Sequence, residues 1–399
     1  MPGKGSQRRD AAIVGIYEYP LRKVEGITAL QIKAECARAA LDDAGLSWQD
    51  VDAVYDCGEG GESGSGLAIS EYLGLSPRVI DTTSVGGSSY EFQAAHALRD
   101  IAAGKCRVAL LTYGSTARAD ARAIGTGGRV SSAPSPFGNM EDPWGMTLVA
   151  NYALVAQRHM YQYGTTSEQL AEIAVATRAH AVRNPQAVRA MEDLGFVGTG
   201  EITVRDVVES RMIADPLHLL DCCMISDGGG AVVIASRDVA RGTRKPPVWI
   251  LGTGEATRYF ASDRDITRSA AELSGPQAFG EAGLTPADVD IAMIYDSFTI
   301  TVLVCLEDLG FCKKGEGGAF VQGGRLRWDT GSLPLNTDGG GLSSNHPGMR
   351  GIFLLIEATR QLRGESTSQV KDARIALAHG NGGMLGSRHS GGTVLLARD

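Results

Sequence analysis

The stretch SVGGSSYEFQAAHALRDIAAGKCRVALLTYG, residues 84–114, decides the fold class of this chain. It opens with a glycine pair and two serines, continues as a run with helical spacing, and ends in the apolar run CRVALLTYG, residues 106–114, which is typical of a buried strand. Two glycines directly before a helix let the backbone turn sharply and approach a ligand closely. We call residues 86–88 the elbow.

The rest of the chain repeats this alternation of strands and helices. Apolar residues recur on one helical face of ITALQIKAECARAALDDAG, residues 27–45, and Gly45 ends that helix. Strand-like runs lie at residues 11–17, 52–57, 78–83, 106–114, 229–236, 248–254, 290–296, 373–379 and 392–398. The alternation predicts an α/β fold with largely parallel, covered sheets.

One short internal repeat indicates duplication. Residues 44–52 read AGLSWQDVD and residues 282–290 read AGLTPADVD, and each segment follows a predicted helix and precedes a predicted strand. We therefore predict two similar halves joined near residues 241–249. Residues 115–213 lack strand patterns and are interpreted as an inserted loop and helical region, which usually covers a ligand site.

Composition narrows the class of partner. The chain has 399 residues, 43% of them hydrophobic, and a formal charge of −8 with scattered basic residues. Nucleic-acid binding needs a clustered basic face, so small molecules or proteins are the expected partners. Seven cysteines form no CxxC pair, which favours buried free thiols in a reducing cytoplasm over disulfides or a metal site. No apolar run approaches the length of a membrane span, so no membrane partner is expected.

The first helical turn after the elbow admits two interpretations. Ser88 followed three residues later by Glu91 fits a capping box, in which the serine satisfies backbone donors at the helix start. Alternatively, the free N–H groups of the helix start stabilise an oxyanion of a bound substrate.

Four blocks together resemble the thiolase superfamily, of the sterol-carrier-protein type, over nearly the whole chain. They are SVGGSSYEFQAAHALRDIAAGK (84–105), LDCCMISDGGGAVVIAS (220–236), YDSFT followed by GGLSSNHPGMRG (295–299 and 340–351), and ALAHGNGGMLGSRHSGGTVLLA (376–397). The resemblance implies two duplicated α/β halves, residues 1–241 and 242–399, in a five-layered αβαβα arrangement. It also implies a homodimer and an acyl-CoA substrate, with coenzyme A part of the substrate and no bound cofactor or metal.

This chain departs from the family pattern at the reactive positions. The nucleophilic cysteine of thiolases falls on Gly87, and their second cysteine falls on His379. The histidine of the family's GHP motif is His346, and the NEAF asparagine and glutamate fall on Tyr295 and Asp296. The predicted catalytic residues are therefore His346, His379, Tyr295 and Asp296, and the predicted substrate-binding residues are Gly86, Gly87, Ser88, Asn381 and Gly382.

Structural roles are the alternative for several of these side chains. A lone histidine is most often a satisfied core residue, which is the interpretation for His96, His159, His180, His218 and His389. His346 and His379 each lie in or beside a glycine-flanked turn, and in the resembling fold both converge on one pocket. Tyr295 ends a strand, where aromatic packing is the alternative to a donor role.

The missing cysteine selects among reactions. Thiolysis requires a nucleophile that carries the acyl group, whereas retro-aldol cleavage of a β-hydroxyacyl-CoA requires a base and donors to the enolate. Cysteine-free thiolase relatives cleave steroid side chains in this way with a small OB-fold, zinc-ribbon partner. Three hypotheses follow: an acyl-CoA carbon–carbon lyase, an acyltransferase or thiolase that uses another nucleophile such as Ser88, and a non-catalytic acyl-CoA-binding subunit.

Overall fold

The computed structural model of the chain describes residues 9–58, 65–121, 147–259 and 265–399. Its helices are α1 Ala29–Ala44, α2 Ser65–Leu73, α3 Ser89–Ala102, α4 Leu148–Tyr163, α5 Ser167–Ala181, α6 Pro185–Asp193, α7 Val204–Val208, α8 Arg237–Ala240, α9 Ala271–Ala282, α10 Thr299–Asp308, α11 Gly317–Phe320, α12 Gly340–Ser343 and α13 Gly351–Arg363. Its strands are β1 Ala11–Glu18, β2 Ala53–Asp56, β3 Val79–Asp81, β4 Val108–Ser115, β5 Met212–Ala214, β6 Leu217–His218, β7 Gly228–Ser236, β8 Val248–Tyr259, β9 Ile291–Ile294, β10 Ile375–Met384 and β11 Arg388–Ala397.

Most of the large sheet is antiparallel, so the expectation of largely parallel sheets was wrong. The strand order is β3-β2-β4-β7-β1-β8-β11-β10-β9. Strand β2 runs parallel to β3 and β4, and β9 runs parallel to β10, whereas the other neighbours are antiparallel. Strands β10 and β11 are joined by a tight turn, which forces an antiparallel pair.

The strand order reads alike in both directions from the β1/β8 junction. This junction is short, with Ala12 opposite Trp249 and Ile13 opposite Val248. From it, β1-β7-β4-β2 on one side corresponds to β8-β11-β10-β9 on the other. Beyond β9, Leu335 forms a parallel bridge with Ala292, where β3 pairs with β2 in the first set. We propose that these two strand sets are the two predicted halves, divided at residues 241–242.

The repeated segment adopts the same geometry twice. Gly45 and Gly283 end α1 and α9 in the left-handed conformation, with φ of 74° and 66°. One 3₁₀ turn then follows each glycine, at Trp48–Asp50 and Pro286–Asp288, before strands β2 and β9.

The last aspartate of each repeat plays the same part. The Asp52 carboxylate accepts hydrogen bonds from the Arg107 and Val108 N–H groups at the start of β4. The Asp290 carboxylate accepts from the N–H groups of Arg374 and Ile375 at the start of β10. Each aspartate thus fixes the neighbouring parallel strand.

Helices α3 and α13 lie between the two strand sets. Both helices contact strands of both sets, while α1 packs on β1, β7 and β4, and α9 packs on β8 and β11. The order of layers is therefore helix, strands, central helices, strands, helix, as the family resemblance implied. Apolar side chains fill the central layer, among them Tyr90 and Leu98 from α3 and Phe353 and Ile356 from α13.

The described part of the inserted region is helical. It comprises α4 to α7, and the ribbon strand β5 begins only at its end, at Met212. The glycine-rich and proline-rich segment at residues 125–145 lies outside the described residues. Helix α4 reaches the second strand set, because Tyr152 accepts a hydrogen bond from Asn381 Nδ2 at 3.0 Å. No helix in the described ranges has the length and apolarity that crossing a bilayer requires.

Candidate active site

The elbow packs its backbone directly against the end of β10. Gly86 has a φ of 80°, and a Cβ at this residue would lie 2.6 Å from Gly383 N and 3.0 Å from Gly382 Cα. Only glycine combines the left-handed conformation with so close an approach. The start of α3 is thereby fixed against Gly382 and Gly383, which lie near the end of β10.

Gly87 has no space for a side chain. A Cβ built there would lie closer than 3.0 Å to two atoms of the Tyr295 ring and to the Asn381 carbonyl oxygen. A phenol ring therefore fills the volume that a side chain at residue 87 would occupy. Gly87 and Tyr295 are a matched pair, since the ring fits only because residue 87 lacks a Cβ.

Tyr295 and His346 form a buried polar pair. Tyr295 Oη lies 2.9 Å from His346 Nε2 and 3.3 Å from the Gly348 carbonyl oxygen, and the two rings meet edge to face. Burial, reinforced by the nearby Arg350 guanidinium, lowers the pKa of His346 to about 3, so its imidazole is neutral at physiological pH. His346 Nδ1 has no hydrogen-bond partner among the described residues.

This pair has two proton arrangements. If the phenol donates to His346 Nε2, then Nδ1 carries the ring proton. If Nε2 carries the proton and donates to Tyr295 Oη, the phenol can donate to the Gly348 carbonyl, and Nδ1 is a free base. The pair stays neutral in both arrangements, so it can take up a proton at His346 Nδ1 without a net buried charge only while its phenol releases one.

Asp296 holds the loop that carries His346. Its carboxylate accepts hydrogen bonds from the N–H groups of Gly341 at 2.8 Å and Leu342 at 3.2 Å, and it pairs with Arg350 Nε at 3.2 Å. Burial raises the pKa of Asp296 to about 6, against the opposing effect of Arg350. These contacts hold the loop of His346 in place. The catalytic role of Asp296 stays a prediction.

His379 and Asn381 point away from the elbow. Their neighbour Gly380 faces α3, since a Cβ at Gly380 would lie 2.7 Å from Ser88 Cα. Side chains alternate along a strand, so His379 faces the opposite layer, where its Nδ1 lies 2.9 Å from Thr393 Oγ1. Burial lowers the pKa of His379 to about 3, and its Nε2 has no partner in the described chain. The structure does not bring its ring to the Tyr295–His346 pair, and its catalytic role stays a prediction.

The capping-box interpretation of Ser88 was wrong. Ser88 has φ and ψ of −89° and 3° instead of the extended cap conformation, and its hydroxyl makes no hydrogen bond to the helix N–H groups. Ser88 Oγ lies 2.7 Å from Ser390 Oγ, which in turn donates to the Val85 carbonyl. The hydroxyl thus ties the elbow to β11.

Comparison with known proteins identifies the family. A model of the thiolase C-terminal domain-like family matches residues 252–397. The chain is 33% identical to an acetyl-CoA acetyltransferase of Methanothermobacter thermautotrophicus, over 95% of this chain and 98% of the relative. It is 35% identical to a steroid side-chain-cleaving aldolase of Thermomonospora curvata, over 92% and 94%. The solved structure of an Ltp2-ChsH2(DUF35) aldolase superposes with a TM-score of 0.86 at 32% identity, covering 99% of both chains.

The chain belongs to the thiolase superfamily. Its resemblance to that family and its expected fold are thereby confirmed, and its relatives are enzymes. A transferase and an aldolase match this thiolase-superfamily chain with similar identity, so the degree of similarity does not choose between the two reactions. The choice depends on the site.

The remaining histidines have structural partners, as the sequence led us to expect. His96 lies between the carboxylates of Asp81 and Glu255, and His159 lies between Thr165 and Glu307. His180 contacts the Asn336 carbonyl and the Trp328 N–H. His218 lies near Asp221, and His389 accepts a hydrogen bond from the Ala270 N–H. Within the described ranges, no group of three or more histidine, cysteine, aspartate or glutamate side chains could hold a metal ion.

Sequence reasoning missed Arg350. Its guanidinium is buried and bonds Asp338 and the Asn345 carbonyl, in addition to Asp296. Asn345 Nδ2 donates in turn to Glu18 on β1 at 2.7 Å. This network fixes the backbone on both sides of His346. The sequence did contain a signal for this network, because Asn345 and Arg350 both lie in the GGLSSNHPGMRG block that resembles the family.

Glu91 was also missed as a site residue. Its side chain is 1% exposed, and neither carboxyl oxygen accepts a hydrogen bond from another described residue. The nearby N-termini of α3 and α13 would each favour an ionised carboxylate by about 0.3–1 kcal/mol. Burying an unpaired carboxylate costs far more, so burial raises the pKa of Glu91 to about 8 and the group is mostly neutral at pH 7.

Proposed function

We propose that this thiolase-superfamily chain is an acyl-CoA carbon–carbon lyase that cleaves a β-hydroxyacyl-CoA by a retro-aldol reaction. The observation that carries the proposal is that a phenol ring fills the space that a side chain at residue 87 would need. Residue 87 has no side chain, and the space beside it is filled by Tyr295, whose hydroxyl is paired with a neutral His346. Such a site can move a proton but cannot carry an acyl group.

The reaction balances without a further reagent. The Tyr295–His346 pair accepts the proton of the β-hydroxyl, the carbon–oxygen bond becomes a carbonyl, and the bond between Cα and Cβ breaks. Its electrons form the thioester enolate, which backbone N–H groups of the elbow at Gly87 and Ser88 stabilise. The proton returns to Cα, which leaves a shorter acyl-CoA and a ketone or aldehyde.

Acyl transfer is the alternative function, because a relative of similar identity is an acetyltransferase. It would need a nucleophile in the site, and Ser88 is the available hydroxyl at the elbow. The Ser88 hydroxyl pairs with another serine, Ser390, which offers no base to activate it. This arrangement favours the lyase. The third hypothesis is a non-catalytic acyl-CoA-binding role. It is disfavoured because His346 Nδ1 has no hydrogen-bond partner among the described residues and so is available for proton transfer.

We further propose a homodimer in the cytoplasm that works with a small OB-fold, zinc-ribbon partner. Strand β3 ends the sheet, and Ile80 on this strand is exposed, as are Leu67 and Tyr72 on the adjacent α2. An exposed edge strand with apolar side chains is suited to pairing with a second copy. The partner is proposed because the matching solved structure is described as Ltp2-ChsH2(DUF35).

Product analysis tests the proposed reaction. The protein, alone and with candidate small partners, is incubated with matched β-hydroxyacyl-CoA and β-ketoacyl-CoA substrates, and acyl-CoA species are measured by mass spectrometry. We expect a shortened acyl-CoA and a carbonyl product from the hydroxy substrate, without consumption of free coenzyme A. Cleavage of the keto substrate that requires free coenzyme A would instead establish thiolysis.

A further inference from the structure

Glu91 lies behind the elbow in a pocket formed by three glycines. A Cβ at Gly351, Gly380 or Gly392 would lie closer than 3.0 Å to a Glu91 side-chain atom. Gly351 of α13 and Gly380 of β10 leave room for the carboxyl group, and Gly392 of β11 leaves room for the Cβ of the same side chain. That convergence gives Glu91 a defined place, although it makes no hydrogen bond to another described residue.

The Glu91 carboxyl is a neighbour of the Gly87 carbonyl. A Cβ at Gly351 would lie 2.5 Å from both Glu91 Oε2 and the Gly87 carbonyl oxygen, so these two oxygens flank the same point. The Gly87 carbonyl also accepts a hydrogen bond from the Gly351 N–H at 3.1 Å. Two neighbouring oxygens repel each other unless one of them carries a proton, and a protonated carboxyl can donate to a carbonyl.

We propose that Glu91 is a positioning residue of the elbow, whose protonated carboxyl donates to the Gly87 carbonyl and so holds the N–H groups of Gly87 and Ser88 toward the substrate. The inference rests on the proposed function. It predicts that ionisation of Glu91 at alkaline pH removes the donor, places a charge beside the carbonyl oxygen, and impairs the elbow.

Burial raises the pKa of Glu91, and a hydrogen bond from its own backbone N–H opposes that effect. Directly before α13 the charged neighbour is Arg350, which is directed to Asp338 and Asp296, and on β10 the titratable neighbour is His379, which faces the opposite layer. On β11 and α3 the facing residues are Gly392 and Ser88, and Tyr295 and His346 lie beyond Gly87. Burial is the cause of the raised pKa of Glu91, about 8, and no charged side chain of the described chain contributes to it.

Two variants test the proposal through the pH profile of kcat. We expect the kcat of the native enzyme to decline as pH rises through about 8. Glu91→Gln keeps a donor at every pH, so it should show near-native kcat at pH 7 and no such decline. Glu91→Met keeps the volume without a donor, and should lower kcat about tenfold at all pH values with KM little changed. A native-like alkaline decline in Glu91→Gln, or native kcat in Glu91→Met, would overturn the proposal.

Urea unfolding supplies a readout that does not require lyase activity. The folded acid keeps a proton that the unfolded chain releases above about pH 4.5, so native stability falls as pH rises from there to about 8. Glu91→Gln should lack this part of the decline, while Glu192→Gln, at an exposed residue of α6, should retain it. If the native protein cleaves no acyl-CoA, the proposed function fails. The unfolding curves and the pH dependence of acetyl-CoA binding then still decide the role of Glu91. Unfolding curves that coincide for the native protein and Glu91→Gln would reject the positioning role of Glu91.

Discussion

Tyr295 occupies the space beside Gly87 in which a side chain at residue 87 would lie, and its hydroxyl meets His346 Nε2 at 2.9 Å. One ring therefore has two consequences: it excludes a nucleophile at residue 87, and it places a phenol next to a neutral imidazole. The proposed proton-transfer role of this pair is the basis of the following predictions.

Removal of the Tyr295 hydroxyl should stop the reaction without disturbing the fold. In Tyr295→Phe the ring still packs against Gly87, while the hydrogen bond to His346 is lost. We expect turnover to fall by about 10²–10⁴, the usual contribution of a positioned acid or base. Steady-state kinetics and thermal unfolding measure both effects. Tyr161→Phe, at a tyrosine that is 86% exposed, is the control; native turnover in Tyr295→Phe would show that the ring only packs.

The two predicted catalytic histidines should differ. His346→Gln should lower turnover by about 10²–10⁴, because it removes the proton partner of Tyr295. His379→Gln should mainly cost about 1–3 kcal/mol of stability, because the buried Thr393 hydroxyl loses one hydrogen-bond partner while it keeps Ser274 Oγ. Kinetics and urea unfolding of both variants distinguish the roles. An equally large loss of turnover in His379→Gln would place that residue among the proton carriers.

A methyl group at residue 87 should destabilise the protein. Gly87→Ala forces a Cβ into the Tyr295 ring and the Asn381 carbonyl, and overpacking of this kind costs about 1–3 kcal/mol. Gly280→Ala is the matched control, because Gly280 lies inside α9 and a Cβ there meets nothing within 4 Å. That control should gain up to about 1 kcal/mol of stability from helix propensity. Equal unfolding free energies for the two variants would contradict the matched fit of Gly87 and Tyr295.

Turnover should not depend on any thiol. Six of the seven cysteines are buried, and Cys312 is half-buried. Burial raises the pKa of Cys106 to about 11 and those of Cys223 and Cys305 to about 12, so their reactive thiolate forms are scarce. We expect treatment with iodoacetamide to leave native turnover intact. Mass spectrometry measures the extent of alkylation, and the urea-unfolded chain is the positive control for alkylation. Inactivation that tracks one modified cysteine would contradict the lyase mechanism.

Ser88→Ala separates the lyase from an acyltransferase. Loss of the hydrogen bond to Ser390 should cost about 1 kcal/mol of stability and leave turnover near the native value. Ser390→Ala removes the other half of the same hydrogen bond and should behave alike. Mass spectrometry of the native protein after mixing with acyl-CoA provides the second measurement, and an acyl group found on Ser88 would favour acyl transfer.

The sequence by itself determined the local elements and the family. The apolar spacing of residues 27–45 predicted α1, and the structure confirms this helix at Ala29–Ala44. The repeated segments at residues 44–52 and 282–290 predicted the turns that they form. A glycine that ends a helix and an aspartate that precedes a strand determine the backbone of only a few neighbouring residues, so the sequence alone is informative there. The same local order led to the prediction that the family's cysteine position falls on Gly87.

Only the tertiary structure decided which side chains meet. The register of β10 with β9 and β11 directs His379 toward Thr393 and away from the elbow. The approach of α3 to β10, β11 and α13 buries Glu91 without a partner and turns the Ser88 hydroxyl toward Ser390. The contacts of Glu91 and Ser88 join residues hundreds of positions apart, and a one-residue change of register would send the His379 side chain to the other face of the sheet. Periodicity describes a single segment, so it carries no information about the neighbour against which that segment packs.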